Sequence, residues 1–221
     1  MTLDSSRILG GIGALLLVIG VIPYISTFGI LDLIGVILIL IALNGFANYY
    51  KERRIFSDAM YGVLTGIIGA VIAAAIGIAI VLPNITKFLE KLYPSWNGSL
   101  STITSLQGMT PVTSNLKLSD IAPFIVAALV AFVVLWISAI ITAFFVRRSL
   151  NQVSSKTSVG LFSTAGLLLL IGAVLTIILV GLLLMWIAAL ILAIAFFTTK
   201  PQAEQPPMTT APSPPATPVA I

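Results

Sequence analysis

Few side chains in this sequence could carry out chemistry, and most of them lie at the ends of apolar segments. The 221 residues include neither Cys nor His, which excludes disulfides, thiolate metal sites and the commonest general base. The sequence also lacks paired carboxylates at metal-ligand spacing and a glycine-rich phosphate-binding loop. We therefore expect no enzyme activity, no catalytic residue, no cofactor and no metal site.

Asp32 is the one ionisable residue placed well within an apolar run, where a carboxylate is costly and often functional. It is also only the fourth residue of its predicted helix, from where it could reach headgroups and stabilise the helix N-terminus. An interfacial structural role and an ion or proton site both stay open. Asn44, near the inner end of the same helix, could cap locally, but a hydrogen bond between helices is the expected role. A transport path would also need the hydroxyls of the predicted spans: Thr65, Ser138, Thr142, Ser163, Thr164 and Thr176.

The composition places these residues in a membrane. The chain is 59% hydrophobic and 8% charged, with mean hydropathy +1.16, whereas soluble domains carry about 25% charged residues. The uncharged run 159–197 is about twice as long as one crossing needs, so it must turn near Leu179–Gly181. We predict an all-α, polytopic membrane helix bundle of about six transmembrane helices. The predicted spans are 8–25, 29–48, 56–82, 121–146, 159–178 and 180–197.

Two hydrophilic regions complete the predicted domain organisation of a bundle over 1–200 and a tail. Residues 84–119 form a loop whose start is either a short interfacial helix or an extension of the third span beyond Pro83, which is expected to end or bend that span. Residues 201–221 contain seven prolines and predict a disordered tail. The pairs Ser57-Asp58 and Ser119-Asp120 are interpreted as helix N-caps.

The distribution of Lys and Arg predicts the orientation of the bundle. An even number of spans puts both termini on one side, and the positive-inside rule makes that side the cytoplasm. The loop 84–119 is then outside the cell membrane, where Asn84 and Asn97 are glycosylation sequons. The cytoplasmic side carries Arg7, Lys51, Arg53, Arg54, Arg147, Arg148, Lys156 and Lys200, and the other side carries Lys87, Lys91 and Lys117.

Two further patterns concern packing and lipid contact. Small residues on the third span at four-residue spacing predict close approach of a neighbouring helix, with this helix at the centre of the bundle. Homodimerisation is the alternative for the same residues. They are Gly62, Gly66, Ala70 and Ala74 on one stripe and Gly69, Ala73 and Gly77 on the other. Lys51, Arg53, Arg54, Arg147 and Arg148 either only fix the topology or bind anionic lipid headgroups; nucleic acid is not expected as a partner.

The first and last hairpins are related in sequence. Residues 14–48 align without gaps on 166–200 with eleven identities in 35 positions, which is about twice the chance level. The alignment places Gly20 over Gly172 and Gly29 over Gly181. It predicts a parallel repeat, rather than the inverted repeat of many secondary transporters.

Several short stretches of this chain resemble a known family. They are Leu9-Gly10-Gly11-Ile12-Gly13-Ala14, then Tyr49-Tyr50-Lys51-Glu52-Arg53-Arg54, and the closing block from Ala165-Gly166-Leu167 to Ala195-Phe196-Phe197. Over about residues 1–200 the chain is similar to domain of unknown function 996, a family of small membrane proteins found mainly in archaea. The resemblance implies an archaeal setting and supplies no catalytic residues.

Two functions follow as expectations from these residues. The first is a non-enzymatic scaffold or accessory subunit of a membrane complex, with the lipid bilayer and another membrane protein, or a second copy, as partners. The alternative is a small-solute or ion transporter or channel. The alternative requires Asp32 to meet several of the hydroxyls across a cavity inside the bundle.

Overall fold

The described residues contain six helices long and apolar enough to cross a membrane, which confirms the predicted all-helical membrane architecture. The computed structural model describes residues 2–20, 29–114 and 116–200; the predicted tail 201–221 lies outside them. The helices are α1 (Leu3–Gly20), α2 (Ile30–Tyr49), α3 (Arg53–Leu92), α4 (Leu118–Thr157), α5 (Leu161–Leu175) and α6 (Val180–Thr198). Short 3-10 helices cover Leu100–Gly108 and Thr176–Ile178. The residues that the structure describes contain no strand.

Each helix packs on the next one in sequence, and α6 closes the arrangement by packing on α1. The starts of α1, α3 and α5 and the ends of α2, α4 and α6 meet at one end of the bundle. We call this end the basic end, because Arg7, Lys51, Arg53, Arg54, Arg147, Arg148 and Lys156 lie there. The parallel repeat of the first and last hairpins stays a prediction.

The best-buried part of the bundle lies at the basic end. Phe46, Phe162 and Phe196 come from three different helices and pack with ring centroids 5.1 to 6.2 Å apart. Ile55 and Val153 add the start of α3 and the end of α4 to the same cluster. Aromatic pairs at these distances contribute about 0.5–1.5 kcal/mol beyond their buried area. This cluster therefore ties all three hairpins together at one end.

Helix α1 and helix α2 come close enough for their backbones to touch. A Cβ atom added to Gly13 would lie 2.7 Å from the carbonyl oxygen of Gly35, and one added to Gly35 would lie 2.7 Å from that of Gly13. Glycine is required at both positions, because no side chain fits between the two helices there. Small residues serve this purpose at many membrane-helix crossings.

Two tryptophan side chains donate hydrogen bonds to carbonyl groups near the ends of membrane helices. Trp136 of α4 donates its indole N–H to the carbonyl of Ala173 in the last turn of α5, at 3.1 Å. Trp186 of α6 donates in the same way to Val18 near the end of α1, also at 3.1 Å. The last carbonyls of a helix have no partner within the helix, and lipid cannot supply one. These indoles therefore satisfy backbone groups that would otherwise be exposed to hydrocarbon.

The turn between α5 and α6 lies at the position predicted from the length of the apolar run. Leu179 adopts a left-handed conformation with φ 63° between the 3-10 helix and α6. This conformation favours glycine, but the residue that adopts it is a leucine, and the nearest glycine, Gly181, lies two residues later. Gly181 is held by a different constraint, because any Cβ there would collide with the carbonyl oxygen of Gly172.

Helix α3 continues through Pro83 to Leu92. The prediction that this proline ends the span is therefore wrong, and the alternative, that it bends the span, stays a prediction. Of the two alternatives for residues after Pro83, the structure has the extension of the helix. Proline is tolerated within membrane helices where nearby groups satisfy the freed backbone. The carbonyl that Pro83 leaves without an N–H partner is that of Ala79. The side-chain amide of Asn84 donates to the next carbonyl, that of Ile80, at 2.7 Å, and the α3 extension packs on α4 through Phe88 and Phe124.

Helix α3 lies at the outside of the bundle, so the prediction that it is the central helix is wrong. In the most apolar 18-residue windows, 11% of the α3 residues and 6% of the α4 residues are buried, against 39% for α1 and 33% for α2. The small residues of α3 bring it close to α4 alone along most of its length. Close approach to one neighbour does not require a central position.

The Gly13–Gly35 contact predicts a large effect of adding one methyl group. We expect Gly35→Ala to lower the free energy of unfolding by about 1–3 kcal/mol, as overpacking does elsewhere. Gly77→Ala is the matched control, because nothing lies within 4 Å of a Cβ there. Thermal unfolding in detergent measures both. Equal midpoints for the two variants would contradict the described crossing.

Candidate functional site

A polar cluster joins the start of α3 to the end of α4 at the basic end. Asp58 on α3 accepts a hydrogen bond from Nε2 of Gln152 at 3.0 Å and lies 3.1 Å from Nε of Arg148. One turn earlier, the Ser149 hydroxyl donates to the carbonyl of Ile55 at 2.6 Å. The Asp58 side chain is only 9% exposed, whereas that of Arg148 is 54% exposed. The cluster therefore presents an oriented guanidinium to the surroundings.

The interpretation of Asp58 as a helix cap is wrong. Helix α3 begins at Arg53, after Glu52, so Asp58 lies in its second turn and points toward α4. Asp120 does act at a helix start, because its Oδ2 accepts the backbone N–H of Lys117 at 3.0 Å. No pattern in the sequence links Asp58 with Arg148 and Gln152. Only the antiparallel packing of α3 on α4 brings them together.

Two adjoining cavities open beside this cluster, and we call them together the basic pocket. One has a volume of about 370 Å³ and the other about 250 Å³. Arg148, Gln152 and Ser155 line both of them. The first is completed by Phe144, Arg147 and Asn151, and the second by Glu52, Arg54 and Lys156.

The basic pocket carries an excess of positive charge. Four cationic side chains, Arg54, Arg147, Arg148 and Lys156, face two carboxylates, Asp58 and Glu52. Arg148 pairs with Asp58, and Lys156 lies 3.8 Å from Glu52. Within the described ranges, neither Arg54 nor Arg147 has a carboxylate at ion-pairing distance. The pocket can therefore attract an anion.

The other two predicted basic residues lie apart from the pocket. Lys51 and Arg53 are exposed at the same end of the bundle, and neither lines a cavity described above. Lys51 has a left-handed backbone with φ 53° in the short turn from α2 to α3. Of the five residues predicted to fix topology or bind headgroups, the structure thus brings Arg54, Arg147 and Arg148 together.

The candidate intramembrane residues of α2 do not meet each other. Asp32 is half-buried in the first turn of α2, and its carboxylate lies against Gly20 at the end of α1. Asn44 is exposed, and its side chain has no hydrogen bond to any described residue. The interhelical bond predicted for Asn44 stays a prediction. Leu43 and Phe46 occupy the buried face of α2, so Asn44 points away from it.

Five of the six candidate hydroxyls hydrogen-bond to backbone carbonyls. Four donate within their own helix over 2.8 to 3.3 Å: Thr65 to Tyr61, Ser138 to Val134, Thr164 to Gly160 and Thr176 to Gly172. Thr142 donates across to Gly62 of α3 at 3.0 Å. Ser163 is half-buried near the start of α5. These hydroxyls therefore reinforce helices, and Asp32 is not among their partners.

The small residues of α3 divide between a packed part and an open part. Cβ atoms added to Gly62, Gly66 and Gly69 would lie against Thr142 or Ser138 of α4. Ala73 is buried as well. In contrast, Ala70 and Ala74 are exposed, and a Cβ added to Gly77 would have nothing within 4 Å.

Comparison with known sequences decides the family. Residues 31–190 match the family described as Protein of unknown function (DUF996). The chain belongs to this family. It is also 31% identical over 199 residues to an uncharacterized protein of Methanocaldococcus jannaschii, an alignment that covers 90% of this chain and 93% of that relative. No solved structure matches it. The basic pocket of this DUF996 protein and its α3–α4 hairpin lie within the matched residues.

The loop of this DUF996 protein is anchored at the opposite end of the bundle. Lys91 at the end of α3 forms an ion pair with Asp120 at the start of α4. Trp96 is buried and donates to the hydroxyl of Thr102 at 3.0 Å. Asn97 is exposed, with its Oδ1 accepting from that hydroxyl at 2.8 Å. Asn84 instead uses its amide on α3, and glycosylation at either position stays a prediction.

The unequal exposure of the Arg148–Asp58 pair predicts unequal effects of removing each partner. Arg148→Gln leaves a buried carboxylate without its cation, so we expect it to cost about 2–3 kcal/mol of stability. Asp58→Asn leaves an exposed Arg148 that water can solvate, so we expect about 1 kcal/mol. Thermal unfolding in detergent measures both, with Arg53→Gln as the control for loss of an exposed cation. A larger loss from Asp58→Asn would contradict this description of the pair.

Proposed function

We propose that this protein is a non-enzymatic scaffold or accessory subunit of a membrane complex, with the α3–α4 hairpin as its contact surface. The observation that carries the proposal is the exposure of that hairpin. In the most apolar 18 residues of α3 and of α4, only 11% and 6% of the residues are buried inside the protein. Its partner is another membrane protein. The proposed site of action is lateral, within the bilayer, rather than a central path through the bundle.

The exposed side of α3 combines large and small side chains in a way that suits another helix. Ile67, Val71 and Ile78 are 55%, 63% and 62% exposed, and they lie on one helical face with the exposed Ala70 and Ala74. We call these five residues the α3 face. Lipid would cover large apolar residues equally well. Alanines four residues apart between them also allow a partner backbone to approach closely.

A cavity also lies between the α3–α4 hairpin and helices α5 and α6. Its volume is about 400 Å³, and the residues around it include Gly66, Ser138 and Thr142 of the α3–α4 hairpin and Leu169 and Met185 of α5 and α6. The hydroxyls of Ser138 and Thr142 already donate to carbonyls. An apolar side chain of a partner is therefore the kind of group that this cavity suits.

The distribution of polar groups supports association over transport. A path for ions or solutes needs polar groups that can exchange their bonds with a substrate. In the described spans, Thr65, Ser138, Thr142, Thr164 and Thr176 are bonded to backbone carbonyls. Asp32 lies at the α1–α2 hairpin, on different helices from all of them.

The α3 face predicts where a partner can be crosslinked. A photoreactive residue at Ala74 in native membranes should give one discrete protein adduct, identified by mass spectrometry as another membrane protein. The same residue at Ile12, an exposed position on α1, should react only with lipid and is the matched control.

Two outcomes would contradict the proposed association. One is an adduct from Ala74 that contains only lipid or only a second copy of this chain. The other is solute flux in proteoliposomes that Asp32→Asn abolishes, because such flux would establish the transporter instead.

We also propose that the basic end faces the cytoplasm, as the positive-inside rule predicts. Because the chain has no Cys, single cysteines report accessibility without background. Gln107→Cys, in the loop at the opposite end, should react with a membrane-impermeant maleimide in intact cells. Asn151→Cys, at the basic end, should react only after lysis. The reverse pattern would overturn the orientation.

A further inference from the structure

We propose that the basic pocket binds the phosphodiester headgroup of an anionic lipid. The argument begins with the order of side chains along α4. Exposed apolar residues Ile141 and Phe144 come first, then Arg147 and Arg148, then the polar side chains of Asn151 and Ser155. Acyl chain, phosphate and polar headgroup follow one another in the same order at a membrane surface. One face of α4 thus matches a phospholipid along its length.

The charges of the pocket fit one phosphodiester. Arg54 from α3 and Arg147 from α4 have no carboxylate at ion-pairing distance among the described residues. Arg148 is oriented through its Nε by Asp58, and a guanidinium carries further N–H donors on its two Nη atoms. Arginine is the side chain best suited to phosphate, because its donors match the phosphate oxygens in pairs.

The polar side chains beyond the arginines suit the rest of a headgroup. Asn151 and Ser155 are exposed and line the pocket. The Asn151 amide can donate or accept a hydrogen bond, whereas the Ser155 hydroxyl donates to the carbonyl of Gln152 at 2.8 Å and offers its oxygen as an acceptor. Gln152 is fixed by its bond to Asp58. Hydroxyl groups of a glycerol-type headgroup would find both donors and acceptors here.

Charges that only orient the helices do not need a cavity. Lys51 and Arg53 fit a purely orienting role, because both side chains are exposed and neither lines one of the two cavities. Helix α4 also continues to Thr157, well past Arg147, and supplies Asn151, Gln152 and Ser155. The positive-inside rule requires neither this extension nor these side chains. Leu150 and Val153 hold the extension in the buried cluster, and a headgroup site accounts for the exposed Asn151 and Ser155.

The test measures which lipid the full chain retains in detergent. Native mass spectrometry of the purified protein, with equal amounts of phosphatidylglycerol and phosphatidylcholine added, counts bound lipids. We expect phosphatidylglycerol to predominate in the unaltered chain. The double variant Arg54→Gln/Arg147→Gln should retain about 25-fold less of it, since each cation near an anionic headgroup contributes a factor of about five. Arg54→Lys/Arg147→Lys should retain more phosphatidylglycerol than the glutamine variant but less than the unaltered chain, because lysine keeps the charge and lacks the paired donors.

The control removes the same charge at the same end of the bundle. Lys51→Gln/Arg53→Gln should leave phosphatidylglycerol retention within about twofold of the unaltered chain, because neither residue lines the pocket. Equal losses in the two glutamine double variants would show a diffuse charge effect and overturn the site. Equal retention of both lipids by the unaltered chain would also overturn it, independently of how any variant folds. Displacement of the lipid by an excess of inorganic phosphate would assign the pocket to a soluble phosphate instead.

Discussion

Hydrocarbon offers no hydrogen-bond partner to a polypeptide backbone, and this constraint determines where the polar side chains of the protein are used. Ends of α1 and α5 receive indole N–H groups from Trp186 and Trp136. The hydroxyls of Thr65 and Ser138 donate to carbonyls of their own helices. An unsatisfied backbone group in lipid costs several kcal/mol. The few polar groups of the spans therefore stabilise helices, which leaves little polar surface for a solute.

The same constraint separates the two ends of the bundle. Charged and strongly polar groups collect where water is available, and at the basic end they sit beside the aromatic cluster of Phe46, Phe162 and Phe196. The packing of this cluster joins the three hairpins there, and the Asp58–Arg148 pair joins α3 to α4 within one of them. Further from this end, α3 and α4 pack mainly on each other. One end is thus suited to a charged ligand and the α3–α4 hairpin to an apolar neighbour.

The sequence predicts the number of helices well because membrane thickness sets their length. Five apolar runs predict six helices, because the last uncharged run is long enough to cross twice and its length predicts the turn near Leu179. Side-chain partners are a different matter. Asp58 looks like a cap because it stands before an apolar run. Its actual partners, Arg148 and Gln152, lie 90 residues or more further along the chain, where no local pattern can indicate them. Pro83 looks like a helix end because local propensity does not include the packing of Phe88 on Phe124.

Small residues show most clearly what sequence alone leaves undecided. The α3 stripes are the most regular in the chain, yet mutual contacts of helix backbones are made by Gly13 with Gly35 and by Gly172 with Gly181. Spacing indicates that a helix can be approached closely, but it does not identify the neighbour. In α3 the neighbour of Gly62 and Gly69 is α4, whereas Gly77 has open space beside it. A glycine in a helix costs about 1 kcal/mol relative to alanine, and that cost is offset where another backbone approaches. This part of α3 is therefore the region where an intermolecular neighbour would make the largest difference to packing.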